Sequence, residues 1–171
     1  MLESCRGRLA ASIMSLVASD AAPERMRDTM AEERDFKVAV LPCNGIGRLV
    51  STVVRMAAYR IKEMRPDQVE LLSCGRLAVG DPEHVEMARR YPLMVIDGCR
   101  PHCASFMADE LGKTPASRLY VAEVMAEKKI NVAGEKRRGL TAKGEKLVDA
   151  LAEAAVGEID RIIADEMLST L

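Results

Sequence analysis

The chain has no tryptophan, and aromatic residues make up only 3% of it. Without aromatic faces there is no platform for stacking bases and no cage for a quaternary ammonium group. A dominant charge is missing as well. The 25 Lys and Arg meet 26 Asp and Glu, for a formal net charge of -1. That balance removes any global attraction to nucleic acid or to an anionic membrane surface. No apolar run approaches the ~20 residues that a membrane-spanning helix needs. The short apolar stretch from Leu9 to Ala18 follows Glu3 and is succeeded by Ser-Asp-Ala-Ala-Pro-Glu. Despite Arg6 and Arg8, it lacks the long apolar centre of a secretory signal and reads better as an amphipathic helix. A cytoplasmic protein is expected, with neither membrane nor nucleic acid as partner.

What is present suits one ordinary folded domain. Of 171 residues, 49% are hydrophobic and 30% charged, which argues against disorder throughout. The core must be aliphatic, drawn from Val, Leu, Ile, Ala and 11 Met. Residues 1–35 are polar, Met-rich and Ala-rich, with Pro23 at a helix start. They predict a helical N-terminal extension, either packed on the body or reaching a protein partner. The body, residues 36–171, has a different pattern.

Residues 37–43 read as a buried strand, followed at once by Asn44-Gly45-Ile46-Gly47. Apolar residues at Leu49, Val50, Val53, Val54, Ala57, Ala58 and Ile61 then recur every three to four positions, the period of an amphipathic helix. Arg65-Pro66 ends it. The alternation repeats. Residues 69–74 predict a second strand with Gly75 and Gly80 in the loop behind it, and Asp81-Pro82 a helix start running to about Tyr91. Residues 93–97 predict a third strand, Pro101 a helix start, and Gly112 its stop. A fourth strand is expected over residues 117–124. Thr141 then caps a long final helix, interrupted by Gly157 at modest cost. Strands alternating with helices predict right-handed βαβ units. The fold class is α/β: a small three-layer α/β/α domain on a mainly parallel sheet of about four strands.

The five cysteines are the informative residues. Cys43, Cys74 and Cys99 each fall at the carboxyl end of a predicted strand, and parallel strands bring those ends to one edge, where ligands bind in open α/β folds. Cys103 lies in the first turn of the helix expected from Pro101, facing the same edge. A lone cysteine is most often a small core hydrophobe. Four at equivalent rim positions, each beside a glycine or a helix start, are better placed to present a ligand set. Four thiolates fill a tetrahedral zinc site and equally suit an iron–sulfur cluster. The positive end of the helix is expected to lower the Cys103 and Cys99 thiol pKa. The amides of Gly45, Ile46 and Gly47 are candidate donors to sulfur around the bound group. Asp97 and His102 are nearby polar candidates, and His84 reads as a surface residue. Cys5 stands apart in the extension.

Two other readings of these loops fail on spacing. Four residues separate Cys43 from Arg48, one short of the phosphate loop of cysteine phosphatases. Gly45-Ile46-Gly47 begins like a dinucleotide fingerprint, but the third glycine position holds Val50.

With these residues in view, the sequence resembles the DGC family of zinc-binding proteins, named for the motif present here as Asp97-Gly98-Cys99. The resemblance is carried by Leu41-Pro42-Cys43-Asn44-Gly45-Ile46-Gly47, by Cys74, and by Asp97-Gly98-Cys99-Arg100-Pro101-His102-Cys103. It implies zinc held by Cys43, Cys74, Cys99 and Cys103 and no particular reaction. Four thiolates leave no open position on zinc for water, which argues for an accessory or metal-handling role. Thiol chemistry, with Cys103 attacking and Cys99 resolving, is the enzyme-class alternative. The basic stretch through Lys136-Arg137-Arg138 suggests docking to an acidic partner or to RNA, diluted by Glu127, Glu135 and Glu145.

Overall fold

A computed structural model describes residues 36–43 and 45–170. The expected helical extension and Cys5 lie outside the described residues. The elements run β1 (Val38–Pro42), α1 (Leu49–Met64), β2 (Val69–Leu71), α2 (Cys74–Ala78), α3 (Pro82–Arg90), β3 (Leu93–Asp97), α4 (Cys103–Glu110), β4 (Ser117–Tyr120), α5 (Val121–Glu127) and α6 (Ala142–Ser169).

The strands form one all-parallel sheet in the order β2-β1-β3-β4. Val38 pairs with Val69, Ala39 with Leu93, and Asp97 with Tyr120. The two central strands, VAVLP and LMVID, are buried at every position. They carry near-continuous apolar runs because both faces of a parallel sheet are covered by helices. On one side α1 buries Val53, Val54, Ala57 and Ile61 and packs along α6, which buries Leu147, Leu151, Ala155 and Ile159. On the other side α4 packs on β3 and against α2. The sequence expectation of a three-layer α/β domain holds.

Four boundaries differ from that expectation. The second strand stops at Leu71, and Cys74 and Gly75 belong to the short helix α2, whose first amides are capped by Ser73 accepting from the Arg76 amide at 3.4 Å. The helix expected from Pro101 starts at Cys103, because residues 100–101 form a turn. The fourth strand ends at Tyr120, and its continuation from Val121 is the helix α5. Thr141 does precede α6, but its hydroxyl donates to the Glu135 carboxylate and caps no amide of the helix. Gly157 sits within an unbroken α6. Among the described residues no helix is long and apolar enough to cross a membrane.

Candidate metal centre

The sheet order sets the site. From β1 the chain crosses to β2 on one side, and from β3 it crosses to β4 on the other, so the connections part between β1 and β3. In open α/β sheets that parting point is the ligand crevice. Cys43 directly follows β1 and Cys99 follows β3 after Gly98. Cys74 and Cys103 are the first residues of α2 and α4, two helices packed together. All four are free thiols, ranging from buried Cys43 to exposed Cys103.

Local bonds hold each in place. The Cys43 amide donates to Ile96 O at 2.8 Å, the last rung between the central strands. Its sulfur lies 3.9 Å from the Oγ of buried Ser51 in α1. The Cys74 thiol donates to Pro42 O at 3.5 Å, reaching from the start of α2 to the end of β1.

The Asp97-Gly98-Cys99 stretch divides its work by residue. Asp97 is buried, 1% exposed, and its carboxylate accepts from the Ala104 amide (3.0 Å), the Ser105 amide (3.2 Å) and the Ser105 hydroxyl (2.6 Å). These are open donors of the first turn of α4, which its own N-cap residue, His102, does not satisfy. Gly98 permits contact between backbones. A Cβ there would stand 3.3 Å from the carbonyl carbon and oxygen of Val50 in α1. The loop then closes through His102, held in the left-handed region at φ 49° and ψ 47°. Its ring meets Tyr120 edge-on at 4.9 Å, and its Nδ1 lies 3.7 Å from Asp97. Asp97 thus fixes where Cys103 begins its helix and how the loop carrying Cys99 returns.

The thiol electrostatics run opposite to the sequence expectation. Burial, reinforced by Cys43, Asp97 and Cys103, pushes the Cys74 thiol up to about 12. Burial of its sulfur and the neighbouring Cys43 also raise Cys99, with Arg48 opposing. Cys103 rises through the same two causes and through Asp97, although helix backbone donation pulls the other way. The start of α4 does not lower these thiols overall, because burial and the neighbouring Cys43 outweigh its backbone donation, and two of its amides are already taken by Asp97.

Soft thiols of this number suit zinc or an iron–sulfur cluster by donor chemistry. Among the described residues, no three of the sulfurs lie within 4.8 Å of one another. A tetrahedral ion about 2.3 Å from each sulfur brings them to about 3.8 Å apart. The donors therefore fit in kind and have to close in on an ion. Cys99 lines two adjoining hollows of about 410 and 560 Å³ with Gly98, Arg100 and Ala122.

Gly45, Ile46 and Gly47 form an exposed loop between β1 and α1. Among the described residues no hydrogen bond joins their amides to a thiol. The Gly47 carbonyl instead accepts from Arg137 at 3.2 Å.

His84 corrects the sequence reading outright. It is 6% exposed, not a surface residue. Its Nδ1 accepts from the Ser73 amide at 3.1 Å, next to Cys74. Its Nε2 lies 2.8 Å from the Arg76 guanidinium, which also donates to Asp81 (2.8 Å) and Glu83 (2.9 Å). Asp81, Glu83 and His84 are close enough to hold a cation, but Arg76 already serves as theirs. Neither Arg76 nor His84 was legible as support for Cys74, because the contact depends on α2 folding back onto α3.

Neither a search of curated proteins nor a search of solved structures finds a match to this chain. The family models do. Residues 39–154, which contain all four rim cysteines and the Asp97-Gly98-Cys99 motif, match the model of the DGC domain, and the chain belongs to the DGC domain family.

Proposed function

We propose that this protein is a zinc-binding protein of accessory or metal-handling role, with Cys43, Cys74, Cys99 and Cys103 as the ligands. One observation carries the reading: Cys43 and Cys99 follow the two central strands, the Cys74 thiol reaches Pro42 O beside Cys43, and Cys103 opens α4, which packs on α2, so four thiols from four separate segments share one rim. Such a group is costly to ionise without a cation among it, and zinc, when bound, supplies that compensating charge and a closed tetrahedral centre. Asp97 positions Cys99 and Cys103, His84 positions Cys74, and the β1–β3 rung positions Cys43. Full ligation by thiolates leaves no position on the ion to activate water, which favours holding or delivering metal over hydrolysis. Free thiols and the lack of a bridge among them suit a reducing compartment such as the cytoplasm.

The deciding experiment is purification without oxygen, then elemental analysis and an absorption spectrum. Zinc near one equivalent in a colourless protein is expected, falling below half in Cys74→Ser and Cys103→Ser. A brown protein with iron and sulfide would replace zinc by a cluster. Metal-free protein with four alkylatable thiols, unable to take up added zinc, would overturn the reading.

A further inference from the structure

The basic stretch at residues 136–138 is not used by the metal centre, and the structure gives it a defined setting. Lys136 and Gly139 bridge each other, which puts Arg137 and Arg138 at the tip of a tight turn. That turn is fastened at several points. The Glu135 carboxylate accepts from the Thr141 amide at 2.7 Å. Gly144 lets the Glu135 and Leu140 side chains press onto the start of α6, where a Cβ would be 2.9 Å from either. The Thr52 hydroxyl of α1 donates to the Arg137 carbonyl at 3.2 Å, and the Arg137 guanidinium reaches Gly47 O.

Between this turn and α1 lies a cavity of about 690 Å³, walled by Arg55, Arg137 and Arg138 and by the apolar Ile46, Met56 and Leu140. Glu145 is the one acidic residue on the wall, and Arg60 already stands 3.5 Å from it. Among the described residues Arg55 and Arg138 make no ion pair. Ile46 is 85% exposed, a large aliphatic side chain held in water beside three guanidinium groups. Three arginines and an apolar wall around one cavity, in a volume typical of small-molecule sites, match an organic anion. The wall carries no aromatic ring on which a base could stack, which disfavours single-stranded nucleic acid.

We infer that this cavity binds a phosphate-bearing small molecule with an apolar body, Arg55, Arg137 and Arg138 gripping the phosphate and Ile46, Met56 and Leu140 covering the rest. The inference is independent of the metal and concerns a different set of residues. The test is calorimetric titration of the full chain with 1-naphthyl phosphate, with inorganic pyrophosphate, and with a short single-stranded RNA. Saturable binding of naphthyl phosphate to one site is expected, weakening as salt rises. The double variant Arg55→Gln/Arg138→Gln should lose about tenfold in affinity for each guanidinium removed, with metal content unchanged. Arg89→Gln, on α3, should bind as the parent does. Ile46→Asp changes an exposed loop residue on which folding does not depend, and it should abolish binding by repulsion even where the double variant fails to fold. Absence of saturable binding at millimolar concentrations of either small probe would overturn the inference. So would parent-like affinity in Ile46→Asp, or RNA binding tighter than both probes and growing with strand length.

Discussion

At the scale of single residues, Asp97 and Gly98 do different work from the cysteine that follows them. Asp97 is a buried anion whose oxygens take three donors from the start of α4. Asp97→Asn keeps the shape, removes the charge, and turns an NH₂ toward a donor. It should cost about 2 kcal/mol in urea unfolding. Because Asp97 is one of the charges raising Cys74 and Cys103, the same substitution should move thiol alkylation of metal-free protein to lower pH. A purely structural role for Asp97 would destabilise the protein and leave the alkylation profile in place. Gly98 gives a sharper contrast. Gly98→Ala drives a methyl group against the Val50 backbone, which cannot rotate away, and should cost about 1–3 kcal/mol. Gly47→Ala, in an equally glycine-rich loop, meets nothing within 4 Å and should leave the thermal midpoint nearly unchanged. Equal effects of the two would refute the close-approach argument.

At the scale of elements, the pair α2 and α3 acts as a bracket for Cys74. His84 on α3 accepts from the amide just before Cys74, and Arg76 on α2 ties that ring to Asp81 and Glu83. Supporting residues of this kind are worth about 10–100-fold in metal affinity. His84→Ala should weaken zinc retention by about tenfold in a chelator competition. His84→Asn, whose oxygen can take the place of Nδ1, should recover most of it. A loss in both variants equally would mean that ring packing, not the hydrogen bond, holds Cys74. The sequence allowed β1, β3, α1, α3 and α6 to be read because each carries a run long enough to show its period or a cap such as Asp81. It hid α2 and α5 for physical reasons. Five residues containing Gly75 cannot display a helical period, and Val121, following a strand directly, has the β-branched character of the strand it leaves. The convergence of thiols followed from parallel topology alone. Their raised pKa did not, since it rests first on burial of the sulfurs and on the neighbouring Cys43, with Asp97 adding to it, and burial at a rim depends on packing between residues far apart in the chain.

At the scale of the whole molecule, the thiol cluster links folding to pH and to metal. In the folded, metal-free protein Cys74 titrates near 12, against an ordinary value of 9.0. Folding therefore favours the protonated thiol. The stabilisation this brings is fully present below pH 9 and is lost as pH rises from 9 toward 12, because the unfolded chain releases its proton first. Cys99 and Cys103, also raised, act in the same direction. Zinc reverses the dependence. Binding requires thiolates, so uptake expels protons from the four thiols, and affinity climbs with pH. Urea unfolding of metal-free protein should show stability declining steadily between pH 8.5 and 10.5, with Cys74→Ser flattening much of that slope, since a serine hydroxyl keeps the bond to Pro42 O without titrating in this range. Zinc-loaded protein should hold its stability over the same interval, and titration with zinc in weak buffer should acidify the solution. A metal-free protein whose stability is indifferent to pH from 8.5 to 10.5, or whose Cys74→Ser variant keeps the parental slope, would show that the four thiols do not share the protected neighbourhood from which the metal reading is drawn.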